Sequence, residues 1–98
     1  MNIKEEISNN KFVILYIWKD MCPGCRVMSP IIDELTKTNS TVKIIKVDAM
    51  DNLDLVREYN LTTAPTILFL NNGVLVDKII GVERKINIEA KISNLFKE

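Results

Sequence analysis

The sequence predicts an α/β fold in which helices cover both faces of a mixed four-stranded sheet. The apolar run at 11–18 is rich in β-branched and aromatic residues, which is typical of a strand buried on both faces. A helical pattern separates it from a second apolar run at 41–48, so we expect a crossover connection and parallel strands. The last two apolar runs, at 66–70 and 74–80, flank an "NNG" turn that favours an antiparallel hairpin.

The segments between these strands carry helical patterns. Residues 2–9 form a short amphipathic helix, 23–38 a longer one, 52–60 a third, and 85–96 a closing helix. The side chains expected to enter the core from the second and last helices are Val27, Ile31, Ile32, Leu35, Ile86, Ile88, Ile92 and Leu95.

The connections also predict the order of the strands. The crossover rule and the very apolar first strand place the strands in the order 41–48, 11–18, 66–71, 74–80. A chain of 98 residues falls in the size range of one domain, so residues 1–98 are expected to form a single domain.

Composition excludes several classes of function. The chain has 13 Lys plus Arg and 13 Asp plus Glu, which argues against a general nucleic-acid or anionic-membrane binder, since both need a basic surface, and no run of Lys or Arg indicates a local one. The polar N-terminus and the short run "FVILYIW" do not have the pattern of a secretion signal or of a membrane span. We therefore expect a cytoplasmic protein, and cytosolic thiol pairs are more often catalytic or metal-binding than structural.

Both cysteines of the chain lie in one Cys-Pro-Gly-Cys turn at the expected start of the second helix. Pro23 suits the first helical turn, where a backbone N–H is not needed. Cys22 and Cys25 are three residues apart, within disulfide reach on a helix. The helix N-terminus stabilises a thiolate at Cys22, while Cys25 is expected to be less exposed. Cys22 would then attack a target disulfide, and Cys25 would release the reduced target.

Other readings of the two thiols stay open at this point. Structural zinc usually takes four Cys or His ligands, and this chain has two cysteines and no histidine. Two chains could still share one metal ion or iron–sulfur cluster. The thiols could also be inert and buried, although the turn and its Pro-Gly pair favour a reactive site.

In the order and spacing of its motifs, nearly the whole chain resembles the thioredoxin family. The matching motifs are "WKDMCPGC" at 18–25, Pro30, "VDAMD" at 47–51, "TTAPTILFL" at 62–70, the "NNG" turn and Gly81. The resemblance implies that Cys22 is the nucleophile and Cys25 the resolving thiol. It also implies that Pro65 is cis and faces the cysteines, that the backbone of Ala64 pairs with an extended substrate, and that Trp18 packs beside the redox turn.

The sequence also departs from the family pattern. Typical thioredoxins have Gly-Pro between the cysteines, whereas Pro23-Gly24 is closer to glutaredoxin. The glycine pair with which glutaredoxins hold glutathione is absent after Gly81. Met21 replaces the usual second tryptophan and offers a flexible thioether to a partner. The resemblance further implies that the first edge strand of full-length thioredoxin is missing.

Tyr16 is the departure with the largest chemical consequence. Typical thioredoxins have a buried Asp at this position, which helps to move the proton of the resolving thiol. Strand alternation places Tyr16 on the face of Trp18, so its side chain is expected to point below the redox turn. A tyrosine cannot act as a carboxylate base, but it can offer a hydroxyl or orient a water. Tyr16 is therefore either a core-filling aromatic or a proton-transfer candidate.

These observations predict a thiol–disulfide oxidoreductase of the thioredoxin type. It would reduce protein disulfides in the cytoplasm as a monomer, without metal or cofactor beyond the Cys22–Cys25 disulfide, and a thioredoxin reductase-like enzyme would recycle it. One alternative is a glutaredoxin-like or disulfide-exchange protein. The other is a non-enzymatic module that docks a partner or shares a metal or iron–sulfur cluster between two chains.

Overall fold

A computed structural model describes residues 2–97 of the chain. The four α-helices span Ile3–Asn9 (α1), Pro23–Thr38 (α2), Leu53–Glu58 (α3) and Lys85–Leu95 (α4). The four β-strands span Phe12–Trp18 (β1), Lys43–Asp48 (β2), Thr66–Asn71 (β3) and Val74–Ile80 (β4). A short 3-10 helix, Ala49–Asp51, lies between β2 and α3.

The strands form one mixed sheet in the order β2-β1-β3-β4, which confirms the predicted order. β1 is parallel to β2 and antiparallel to β3, and β3 is antiparallel to β4. The tight turn between β3 and β4 has positive φ at both Asn72 and Gly73, as a hairpin of this type requires. An irregularity that was not predicted interrupts the β3–β4 pairing at Phe69/Leu70.

Alternate side chains of β1 lie in two separate cores. Phe12, Ile14 and Tyr16 pack against α2 and α4 on one face of the sheet. On the other face, the neighbouring side chains of β1 pack against Leu55 of α3, with Ile7 of α1 at the edge of that core. Because both faces are covered, β1 is buried almost throughout and holds the cysteine turn at its carboxyl end in a fixed position.

Two of the core assignments made from the sequence are wrong. Val27 is 53% exposed, and Met28 is buried in its place. The buried positions of α2 are Cys25, Met28, Ile32 and Leu35, which recur every three or four residues, and Val27 lies outside that stripe. In α4, Ile88 and Ile92 define the buried face, so Ile86 is turned away from it and is 68% exposed.

Some element boundaries also differ from the prediction. The second strand begins at Lys43, because the N–H of Val42 is used in a turn with the carbonyl of Asn39. The third helix covers only Leu53–Glu58, and Asn60 follows it with a positive φ of 53°. Of the helices in residues 2–97, none combines the length and apolar character that a membrane crossing requires.

Candidate active site

The loop from β1 to α2 presents the first cysteine at the start of the helix. Met21 takes a φ of 56°, and the chain then enters α2 with Cys22 as the N-cap and Pro23 in the first turn. The carbonyl of Cys22 accepts hydrogen bonds from the backbone N–H groups of Cys25, at 3.1 Å, and Arg26, at 3.3 Å. The local sequence therefore fixes the first cysteine where helix N–H groups point toward it.

The two cysteines form a disulfide bond, with their Cα atoms 5.2 Å apart. Their exposures are nearly equal, 6% for Cys22 and 5% for Cys25, so the expected difference in exposure is absent. The difference between them lies in their contacts. The Cys22 sulfur accepts a hydrogen bond from the Cys25 backbone N–H at 3.2 Å, and it lies 3.4 Å from the carbonyl oxygen of Ala64.

The loop before β3 lies against the cysteine turn. The Ala64–Pro65 peptide bond is cis, which confirms the conformation that the resemblance implied. The carbonyl of Pro65 accepts a hydrogen bond from the N–H of Gly81 at 2.8 Å, and the hydroxyl of Thr66 donates to the carbonyl of Thr63 at 2.6 Å. Gly81 itself has a φ of 89°, a region that favours glycine. These contacts connect the end of β4 to the loop that faces the disulfide.

Gly24 packs closely against this loop. A Cβ atom at Gly24 would lie 3.0 Å from Cδ of Pro65 and 3.1 Å from Cγ2 of Val82. The redox turn, the loop at Pro65 and Val82 therefore meet at a position where a Cβ atom would fit only if a neighbouring side chain moved by a few tenths of an ångström. Val82 was not predicted as part of the site, because its contact arises between segments that are far apart in the sequence.

Tyr16 lies beneath the redox turn, as strand alternation predicted. Its side chain is completely buried, and its hydroxyl donates a hydrogen bond to the carbonyl oxygen of Cys25 at 3.1 Å. The same hydroxyl is 3.0 Å from the hydroxyl of Ser29. Ser29 was not singled out from the sequence, although its position one helical turn after Cys25 was a usable signal.

Trp18 lines two adjoining grooves beside the disulfide. It is half-buried and packs against the core that contains Tyr16. The groove next to the disulfide has a volume of about 340 Å³ and the adjoining groove about 560 Å³. Trp18 and Ser29 line both grooves, so the two grooves share a wall beside the cysteines. Met21 lies at the rim of the groove next to the disulfide and is 93% exposed, in reach of any partner.

The segment just before α4 packs against α2 near the redox turn. The N–H of Glu83 points at the sulfur of the buried Met28, at 3.4 Å. The Glu83 carboxylate accepts hydrogen bonds from the side chain of Asn87 and the backbone N–H of Arg84, and these lower its pKa. Glu83 is thus held in its charged form next to Val82 and just before the N-cap of α4, near a helix end where a negative charge is favourable.

Potential metal ligands are not clustered in the described part of the chain. Residues 2–97 contain no group of three or more Cys, His, Asp or Glu side chains placed to hold a metal ion. With both sulfurs in a disulfide bond, neither is a thiolate ligand in this state.

Two bonded cysteines at a helix start, facing a cis-proline loop, define a thiol–disulfide oxidoreductase site on an α/β sheet. A sequence model of the thioredoxin family matches residues 1–94. The chain belongs to the thioredoxin family. This membership and the Cys22–Cys25 disulfide confirm the fold, the family and the thiol–disulfide oxidoreductase activity predicted from the sequence.

Curated relatives and solved structures agree with this assignment. The chain is 30% identical over 94 residues to thioredoxin from Porphyra purpurea, covering 94% of this chain and 88% of that protein. It is 32% identical over 83 residues to thioredoxin from Rickettsia felis, covering 84% and 79% of the two chains. Thioredoxin from Plasmodium falciparum superposes with a TM-score of 0.86 at 27% identity, covering 94% of this chain and 89% of that one.

Proposed function

We propose that this protein reduces disulfide bonds in other proteins, with Cys22 as the attacking thiolate and Cys25 as the resolving thiol. The observation that carries this proposal is the backbone N–H of Cys25 directed at the Cys22 sulfur at 3.2 Å. A hydrogen bond to sulfur, at the positive end of α2, stabilises a thiolate on Cys22 once the disulfide is reduced. Cys25 receives no such bond among the contacts of the described residues, so the two thiols are chemically unequal.

The reaction consists of two exchanges. The Cys22 thiolate attacks one sulfur of the target disulfide, a Cys22–target disulfide forms, and the other target sulfur leaves as a thiolate. Cys25 then loses its proton and attacks the Cys22 sulfur, which releases the second target sulfur and leaves Cys22 and Cys25 bonded. The target gains two electrons and two protons, and this protein loses them. The observed disulfide is the product state of that sequence.

The segments around the disulfide form the proposed seat for the target. The Ala64 carbonyl, 3.4 Å from the Cys22 sulfur, is close enough for an extended target segment that pairs with Ala64 to place its own sulfur at Cys22. Pro65 and Gly81 hold that loop in place through their hydrogen bond. The exposed thioether of Met21 and the ring of Trp18 offer an apolar surface beside it.

Pro23 and Gly24 have supporting roles in this proposal. Pro23 occupies the first turn of α2, where its fixed φ favours the helical start that positions Cys22. Gly24 lets the turn approach Pro65 closely. Tyr16 supports the turn from below through the Cys25 carbonyl.

Family membership supports the remaining parts of the proposal. The substrates are proteins that carry disulfides, and a thioredoxin reductase-like enzyme returns the Cys22–Cys25 disulfide to the dithiol. The protein works as a monomer in the cytoplasm, where thiols are kept reduced, and it needs no metal or other cofactor.

Disulfide exchange in the oxidising direction is the second candidate. The N–H bond to the Cys22 sulfur favours it as well, because stabilising the reduced form makes a disulfide a stronger oxidant.

A module that shares a metal or cluster between two chains is tested by metal analysis and the visible absorbance of the purified protein. Zinc bound at about half an equivalent per chain, or iron at about one equivalent per chain from a shared two-iron cluster, would contradict the reductase proposal.

Trapping of targets tests the proposed roles. In Cys25→Ser, Cys22 can still attack, but the mixed disulfide has no thiol to resolve it. We expect covalent complexes with proteins from a cell extract, which dissociate on addition of a small dithiol. The matched control is the variant with both cysteines replaced by serine, which should trap nothing. Equal recovery from both variants, or none from either, would contradict the assignment of Cys22 as nucleophile.

A further inference from the structure

Two hydroxyl groups lie under the redox turn, between the buried sheet and the open groove. The hydroxyl oxygen of Tyr16 is 3.0 Å from that of Ser29 and 3.1 Å from the carbonyl oxygen of Cys25. Tyr16 is fully buried, whereas Ser29 is half-buried and lines the groove together with Cys25. Ser29 follows Cys25 by four residues on α2, and such side chains share a helix face with Cβ atoms about 5–6 Å apart. Ser29 therefore connects the tyrosine hydroxyl to the face that carries the Cys25 sulfur.

The hydrogen atoms of this hydroxyl pair allow two arrangements. A carbonyl oxygen can only accept, so when Tyr16 donates to Cys25, Ser29 donates to Tyr16. In the other arrangement Tyr16 donates to Ser29, and the hydrogen of Ser29 is available to a third group. The Cys25 carbonyl then keeps the helical N–H of Ser29 as its partner. The two arrangements differ only by rotation of two O–H bonds.

We propose that Ser29 is a positioning residue for the step in which Cys25 resolves the mixed disulfide. While the Cys25 sulfur is bonded or protonated, the pair keeps the first arrangement. When Cys25 loses its proton, the pair changes to the second, and Ser29 donates to the thiolate directly or through one water in the groove. This inference rests on the proposed function, because it concerns the second exchange of that reaction.

The atoms and electrons of that step balance without a further reactant. The proton of Cys25 passes to water in the groove, and the thiolate attacks the Cys22 sulfur. A bond forms between the two cysteine sulfurs, and the bond from Cys22 to the target sulfur breaks. The electron pair leaves with the target sulfur, which takes a proton from solvent. Ser29 stabilises negative charge only while it is on Cys25, so the first exchange, by Cys22, does not depend on it.

Charged side chains also face this region and contribute to its pH dependence. Those that line the two grooves are Lys19 and Asp20 on the loop before α2, Arg26 on α2, Lys46 and Asp48 on β2, and Asp51 in the 3-10 helix. Lys46 is paired with Asp33 at 2.6 Å. The variants below retain all of these charges, so their effect on a pH profile is the same in each protein.

The two exchanges can be timed separately with Ellman's disulfide. Attack by Cys22 on this disulfide releases one coloured aryl thiolate. Attack by Cys25 on the resulting mixed disulfide releases the second. We compare the reduced wild type with Ser29→Ala in single turnovers across a range of pH. In Ser29→Ala we expect the first phase to be unchanged. The second phase should be slowed about tenfold, because a hydrogen bond to a charged group is lost, and its midpoint should lie at higher pH. Tyr16→Phe should slow the same phase less, and the double variant should match Ser29→Ala.

Two further variants separate this role from a general effect on the helix. Thr36→Val removes a hydroxyl that donates to the carbonyl of Ile32 on the same helix, and it should leave both phases unchanged. Ser29→Thr keeps the hydroxyl and should retain the wild-type midpoint. An unchanged second phase in Ser29→Ala, or equal slowing of both phases, would overturn the inference. A wild type that never releases the second aryl thiolate would contradict the proposed function itself.

Discussion

Gly24 and Pro65 approach so closely that a methyl group on the glycine would lie 3.0 Å from Cδ of the proline. Gly24 is in the first turn of α2, and Pro65 is in the loop before β3. A third residue, Val82, completes the contact at 3.1 Å. The absence of a side chain at Gly24 therefore sets how closely the cysteine turn lies to the loop proposed to hold the target.

Gly24→Ala should impair the reaction more than it impairs folding. Alanine favours a helix by about 1 kcal/mol over glycine, and this gain offsets part of the cost of crowding. The ring of Pro65 is buried and must move by a few tenths of an ångström, so we expect the single-turnover rate with a protein disulfide to fall about threefold to tenfold. Stopped-flow fluorescence of Trp18 provides the measurement.

A second substitution checks the cause of that loss. Val82→Ala removes one of the two groups that crowd position 24, and Val82 is largely exposed, so by itself the substitution should change little. Combined with Gly24→Ala it should restore part of the rate. If the double variant is as slow as Gly24→Ala while Val82→Ala equals the wild type, Pro65 alone causes the crowding. A full wild-type rate in Gly24→Ala would contradict the proposed effect of crowding at position 24.

Gly81→Ala should weaken both stability and the reaction. Gly81 has a φ of 89°, and a side chain there costs about 1–2 kcal/mol of unfolding free energy even though the space around it is open. Because its N–H is bonded to the Pro65 carbonyl, the strain reaches the loop that faces the disulfide. Gly73→Ala, with a φ of 80° at the remote hairpin, is the control. Urea denaturation should show similar losses for both, and only Gly81→Ala should slow reduction of a protein disulfide.

Met28 and Val27 test the corrected packing of α2. Met28 is completely buried and Val27 is more than half exposed. Met28→Ala should therefore lower the free energy of unfolding by about 2–5 kcal/mol, whereas Val27→Ala should change it by about 0.5 kcal/mol or less. Chemical denaturation measures both. Equal losses would mean that α2 does not bury Met28 in preference to Val27.

The pair of Asp77 and Lys91 predicts a pH dependence of stability. Lys91 donates to the Asp77 carboxylate at 2.6 Å, and with the N–H of Lys78 it holds the pKa of Asp77 below its usual value. The stabilisation is present above the unfolded-state pKa, about 3.9, and is lost as the pH falls through the lower folded-state value. Since about a third of each side chain is exposed, we expect a contribution of only about 0.2–1 kcal/mol.

Asp77→Asn makes that dependence measurable. The variant should melt slightly below the wild type at neutral pH, and the difference should disappear at a pH well below the folded-state pKa of Asp77. The control is Glu58→Gln, which removes a carboxylate that pairs with Lys4 and is more exposed than Asp77. It should shift the melting temperature less. A difference between Asp77→Asn and the wild type that persists unchanged into acid would contradict the assignment to this carboxylate.

The strands and their order could be predicted because their signals are local and strong. The first strand is apolar at every position, and the hairpin turn has a characteristic dipeptide. The buried faces of the helices were harder to predict, since valine and isoleucine also occur on exposed helix faces. Val27 and Ile86 have the right chemistry for a core but lie off the stripe that packing selects.

The residues of the site also fall into two groups, those that a sequence motif identifies and those that only the packing identifies. The two cysteines and the cis-proline loop could be found from motifs at known spacing. Ser29 and Val82 belong to the site only through contacts between separate segments, one with Tyr16 and one with Gly24. Such contacts depend on how the strand, helix and loops pack, and a sequence pattern does not report them. The near-equal exposure of the two cysteines likewise depends on this packing.

The reduction potential of the Cys22–Cys25 pair tests the central claim most directly. The protein is equilibrated with buffers of defined thiol–disulfide ratio, and the fraction of dithiol is measured by alkylation. A protein-disulfide reductase should give a value near or below about −240 mV, in the range of reducing thioredoxin-type pairs. A value above about −200 mV would contradict the reductase account and favour disulfide exchange or oxidation.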